Sequence, residues 1–311
     1  MALFSRDPQP LSAPGERAPL SLKRAGGNVA SQLALAHALL NDGQIEPALA
    51  ALEQALAENP ESSEAQLLTG IALTQNQQFA EAIGPLRRAI QLDPESSLAY
   101  TTLTSALMKI KDYRAALEAI ERLLRQTRAE ALPHALRAEA LWKLQRAPEA
   151  IASFRLAIAQ EPELAWIHER LGRLFIEQEQ WLDALAELRT AVRLAPAAVD
   201  AVLALGDVLR HLGRGPEALQ CYTQATFCNQ LASLPYLRLG QCSLEQGHLL
   251  DALVWLRTSL TLEPGQPECF LALAELYALG GRAQVAERYR AAAAAVQQLS
   301  APASNALLAG S

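Results

Sequence analysis

Alanine recurs at every 34th residue through most of this 311-residue chain. Ala48, Ala82, Ala116, Ala150, Ala184, Ala218, Ala252 and Ala286 stand in one unbroken register. Abundance alone does not align eight alanines without an insertion. Pro60, Pro94, Pro162, Pro196 and Pro264 fall on the same grid, and Arg128 and Gln230 occupy its skipped slots. Counted from Val29, the grid gives eight units that end at Ser300, with alanine at the twentieth position of each. A chain so constrained is an array of copies of one supersecondary unit. Each copy is too small to bury its own apolar face and must stack on its neighbours.

Two further columns fix what the unit is. The eighth position is always small: Ala36, Gly70, Thr104, Ala138, Gly172, Gly206, Gly240, Ala274. The twenty-fourth is large and apolar in seven units (Leu52, Leu86, Ile120, Phe154, Leu188, Tyr222, Leu256) and becomes Arg290 in the last. Small residues let two helices approach closely, and large ones fill the space between neighbouring pairs. Each unit therefore reads as two helices. A first helix of about 13 residues meets a polar turn such as Asn41-Asp42-Gly43 or Gly213-Arg214, and a second ends before the proline column. Pro133, Pro235 and Pro267 fall where first helices begin, and Pro47, Pro148 and Pro216 where second helices begin. Proline fits a first helical turn, where its missing N–H has no partner to lose. Pro85 falls inside a second helix and is expected to bend or shorten it.

A 34-residue helix-turn-helix unit with small, Ala, large-apolar and Pro columns resembles the tetratricopeptide repeat family. The resemblance covers residues 29–300 as eight repeats. It leaves 1–28 as a flexible, Pro- and Gly-containing leader and 301–311 as a short tail. It implies an all-α, right-handed solenoid whose first helices line a concave groove. In the last repeat Arg290 and Gln298 replace the apolar residue and the proline, which reads as a polar cap with Arg288 and Arg290 sealing the end.

Charge and motifs narrow the function. The net charge is -6, which argues against a nucleic-acid surface. No run of 18 apolar residues exists, so membrane insertion is not expected, and no secretory leader is apparent. The chain is read as cytoplasmic, and its excess of Arg (23) over Lys (4) as a sign of a bacterial genome. Cys221, Cys228, Cys242 and Cys269 show no C-x-x-C spacing and read as small apolar residues inside helices. His134 and His168 share the fourth column and read as packing residues before metal ligands. No catalytic, nucleotide or metal motif is present, so neither an enzyme nor a cofactor is expected.

The family resemblance implies that the second, fifth, sixth, ninth, twelfth and thirteenth positions face the groove. Trp166, Arg170, Leu203, Leu237 and Arg238 then form a central patch with apolar anchors between two guanidiniums that have no oppositely charged partner in their own column. Trp142, Arg173 and Arg210 are secondary candidates. Arg173 reads as part of an ion-pair ladder with Glu139 and Asp207. A convex-face alternative is Trp255 with Tyr289, which share the twenty-third column. The expected activity is that of a non-enzymatic scaffold holding a protein or peptide client with acidic and apolar anchor residues. The other reading is a regulatory or substrate-recognition subunit of a bacterial enzyme complex for envelope polymer synthesis or secretion. Self-association stays open.

Overall fold

The computed structural model describes residues 29–126 and 130–300. The leader, the tail and the grid slot at Arg128 lie outside the described residues. Those described form sixteen α-helices and no strand, an all-α helical-repeat solenoid. The first helices of the repeats are α1 (Val29–Asn41), α3 (Ser63–Gln75), α5 (Ser97–Lys109), α7 (Ala131–Lys143), α9 (Ala165–Glu177), α11 (Val199–His211), α13 (Ser233–Glu245) and α15 (Pro267–Leu279). The second helices are α2 (Ile45–Glu58), α4 (Phe79–Leu92), α6 (Tyr113–Gln126), α8 (Ala147–Gln160), α10 (Trp181–Leu194), α12 (Gly215–Cys228), α14 (Leu249–Leu262) and α16 (Ala283–Ser300). They belong to two compact units, one up to Ala119 and the other from Ile120.

One hydrogen-bond motif makes every repeat turn alike. The amide of position fifteen donates to the carbonyl three residues back, and that of position sixteen to the carbonyl five back. Examples are Gly43 to Leu40 with Gln44 to Leu39, and Glu179 to Ile176 with Gln180 to Phe175. This pair satisfies the last carbonyls of the first helix and requires a left-handed residue at position fifteen. All eight repeats have one there. Gly43, Gly213, Gly247 and Gly281 adopt φ of 72° to 78°, while Gln77, Lys111, Gln145 and Glu179 adopt 56° to 65° without the freedom of glycine. Ser62 and Ser96 cap the next first helices by accepting from the amides of Ala65 and Ala99.

Packing follows the columns. All eight grid alanines are at most 1% exposed, and so are the seven apolar residues of the twenty-fourth column. The glycines of the eighth column are there because their partners touch them. A Cβ on Gly70 would lie 2.4 Å from Leu86, on Gly172 2.7 Å from Leu188, on Gly206 2.5 Å from Tyr222 and on Gly240 2.6 Å from Leu256. A third buried column, at position twenty-seven, is also fully packed: Ala55, Ala89, Leu123, Ala157, Ala191, Ala225, Ser259 and Ala293. In the first unit Leu33, Leu52 and Leu68 gather into one apolar cluster, and in the second Leu237, Leu256 and Leu273 into another.

Two expectations change. Pro85 does not shorten α4, which keeps the fourteen residues common to the complete second helices. The preceding residue, Gly84, has no Cβ to collide with the proline ring, so the helical conformation before Pro85 survives. The last second helix does not stop where the others do. With Gln298 in place of proline, α16 runs eighteen residues to Ser300. Arg290 is exposed on it and paired with Glu287, one turn away.

Candidate interaction face of the second unit

The expected groove residues sit on α7, α9, α11 and α13, all in the second unit. Polar side chains on these helices join neighbouring repeats by a repeated rule. Position six reaches back to position nine of the preceding repeat: Arg170 Nε lies 3.2 Å from Glu139 Oε1, and Arg238 Nε 3.1 Å from Asp207 Oδ1. Position twelve reaches forward to position thirteen of the next. Trp142 Nε1 donates to Glu177 at 2.5 Å, and Arg210 Nη1 to Glu245 at 2.9 Å.

These pairs correct the sequence expectation. Arg170 and Arg238 are not free guanidiniums, because their partners stand one turn along in the adjacent helix and not in their own column. Arg173 does not bridge Glu139 and Asp207. Its Nε lies 2.9 Å from Glu169, four residues earlier on α9, and its Nη2 3.8 Å from Asp200. Leu203 and Leu237 are buried at 6% and 4% exposure and pack inside the array, as does Trp142. Trp166 is half-buried, leaving part of its ring accessible.

A buried network was not legible beforehand. Tyr222 is fully buried, and its hydroxyl donates to Asp207 Oδ1 at 2.7 Å, the same oxygen that meets Arg238. Burial, reinforced by the Asp207 carboxylate, pushes the Tyr222 hydroxyl far above the usual tyrosine range. The available signal was Tyr at position twenty-four together with Asp at position nine, a combination present in the sixth repeat alone. His168 does fill a packing slot. It is buried, with Nδ1 2.7 Å from Glu187 Oε2 and Nε2 2.9 Å from the carbonyl of Pro162. The Glu187 hydrogen bond raises its pKa against the opposing effect of burial. Among the described residues no group of His, Cys, Asp and Glu could hold a metal ion, and the four cysteines are free thiols.

A cleft of about 290 Å³ opens between α11, α13 and α15. Arg210 and Glu245 form one side of it, with Gln241 and Leu244 from α13. Glu268, Leu271, Ala272 and Glu275 come from α15. All eight residues occupy the positions two, five, six, nine, twelve or thirteen expected to face a groove. Leu271 is 47% exposed within the cleft, and Leu234, one repeat earlier in the second column, is 43% exposed. The convex-face candidates have aromatic neighbours in their own repeats. Trp255 stacks on Tyr236 at 6.1 Å, and Tyr289 stacks on Tyr277 at 5.4 Å. No helix of the described residues is long and apolar enough to cross a membrane.

Comparison with known proteins agrees with this architecture. A tetratricopeptide-repeat profile matches residues 33–97 and 169–232, and a second one matches 73–140. No curated protein sequence is similar enough to match. Among solved structures, MamA (residues 41 to the end) from Desulfovibrio magneticus RS-1 is 22% identical with a TM-score of 0.51, over 56% of this chain and 99% of its own. A MamA double mutant is 23% identical with the same TM-score. The anaphase-promoting-complex assembly Cut9–Hcn1 is 14% identical with a TM-score of 0.59, over 86% of this chain and 52% of its own. At such identities the likeness concerns the fold. Two repeat profiles that together match more than half of the residues, on a 34-residue register of helical hairpins, place this chain in the tetratricopeptide-repeat family.

Proposed function

We propose that the protein is a non-enzymatic scaffold whose second unit holds a segment of a partner protein on its first-helix face, between Trp166 and Glu275. The observation that carries this reading is the cleft between α11, α13 and α15. It is lined wholly by groove positions and exposes a leucine beside charged side chains. Leu203 and Leu237 support the face from beneath. The Glu139–Arg170 and Asp207–Arg238 pairs hold adjacent first helices together, so the face is preorganised and little ordering cost falls on binding. Leu271 and the accessible part of Trp166 are the apolar anchors, and polar groups around them set orientation.

The test is site-specific photo-crosslinking in cells, with the crosslinker at Leu271 or Leu234, and at Leu182 of α10 as the comparison. Leu182 is 73% exposed on a second helix. The reading expects a discrete crosslinked partner from Leu271 and Leu234 and not from Leu182. A partner captured from Leu182 alone would move the interaction to the second helices.

A further inference from the structure

The geometry points to a basic client: the α11–α13–α15 cleft accepts a peptide segment in which a large apolar side chain is flanked by Lys or Arg. This inference rests on the scaffold reading above and specifies the chemistry of its occupant. It also reverses the polarity expected from sequence.

The acidic-client expectation depended on unpaired Arg170 and Arg238, and both guanidiniums are neutralised by Glu139 and Asp207. In the cleft the balance is the opposite. Its lining holds three glutamates and one arginine. Arg210 is matched by Glu245 at 2.9 Å, which leaves Glu268 and Glu275 uncompensated. Both are exposed, and no ion pair or side-chain hydrogen bond involves either among the described residues. Glu268, Leu271 and Glu275 lie at i, i+3 and i+7 on α15, hence on one helical face. The two carboxylates are separated by roughly 10 Å along the axis at about 1.5 Å per residue, with the leucine between them. Glu268 has a second role, since it stands in the first turn of α15 and favours the helix dipole there. Glu275, near the middle of the helix, has no such role. A carboxylate, an exposed aliphatic side chain and a second carboxylate are complementary to a cation, an apolar anchor and a second cation. Across the cleft the Arg210–Glu245 pair is charge-balanced and Gln241 is neutral, so neither offsets the two glutamates. The two free carboxylates repel an acidic segment directly.

A random peptide display library selected on the full chain tests this. Selected peptides should carry Lys or Arg on both sides of a large apolar residue and bind more weakly as salt rises. Glu268→Lys/Glu275→Lys should weaken them on the order of tenfold, with unchanged circular dichroism because both positions are exposed. Acidic or uncharged peptides that lose binding in Leu271→Asp would overturn the basic-client inference while the scaffold reading stands. Selected peptides indifferent to both the charge-reversed and the Leu271→Asp variants would overturn both, as would a library in which nothing is enriched.

Discussion

Gly206→Ala adds one methyl group where the structure has no room for it. The new Cβ would lie 2.5 Å from Cε1, 2.9 Å from Cδ1 and 3.0 Å from Cζ of Tyr222. Non-bonded carbons rest at about 3.5–4.0 Å, so the ring must retreat by roughly 1 Å. Tyr222 has less freedom to retreat than the leucines of this column, because its far end is tied through the hydroxyl to Asp207 at 2.7 Å. Overpacking costs about 1–3 kcal/mol. Disturbing a buried hydrogen bond to a charged acceptor adds about 1.5–3 kcal/mol. The expected loss is therefore about 2.5–6 kcal/mol. Urea unfolding followed by tryptophan fluorescence measures it in the right place, because Trp142, Trp166, Trp181 and Trp255 all lie in the second unit. The double variant Gly206→Ala/Tyr222→Leu recreates the Ala36–Leu52 pairing of the first repeat, where both residues are fully buried. It should be more stable than its two single variants predict by about 1–3 kcal/mol. A Gly206→Ala protein as stable as the parent, or strict additivity in the double variant, would refute the close approach and the register derived from it.

Position fifteen predicts opposite signs for opposite substitutions. Glu179→Gly should stabilise and Gly213→Ala destabilise, each by about 1 kcal/mol, because both residues hold positive φ; denaturation midpoints check both. His168 makes stability pH-dependent. Its pKa is raised in the folded state, so its contribution is fully present below about pH 6.5, the unfolded value, and is lost as pH rises through the higher folded value. Melting of the parent against His168→Gln over this range should show that decline in the parent and its absence in the variant. Trp166→Ala should weaken a captured client on the order of 2 kcal/mol in calorimetry, as loss of an aromatic anchor does, with a fold unchanged by circular dichroism.

The repeat boundaries were readable because close packing acts on types of residue. Alanine at position twenty and a large apolar residue at position twenty-four are demanded by a helix crossing whatever the client, so they recur. The left-handed turn was only half readable. Glycine marks it in four repeats, while Gln77, Lys111, Gln145 and Glu179 adopt the same conformation under the pull of the Schellman hydrogen bonds. The face of the array was harder. Arg170 looks unpaired in sequence because a column shows only residues at the same height, whereas a long guanidinium reaches Glu139, one turn away on the first helix of the preceding repeat. For the same reason Asp207 was assigned to Arg173, although it serves Arg238 and the buried hydroxyl of Tyr222. The α15 triad of Glu268, Leu271 and Glu275 is visible as a helical face in sequence. Its significance depends on which neighbouring charges are already neutralised, and that is a property of the packed array.

Hydrogen exchange of the full chain, with and without a saturating peptide selected on it, tests the interaction face most directly. Amides of α11, α13 and α15 should gain protection on binding, most strongly around Leu271, while α12 and α14 exchange as before. Protection confined to α12 and α14, or to the first unit, would contradict a first-helix binding face in the second unit.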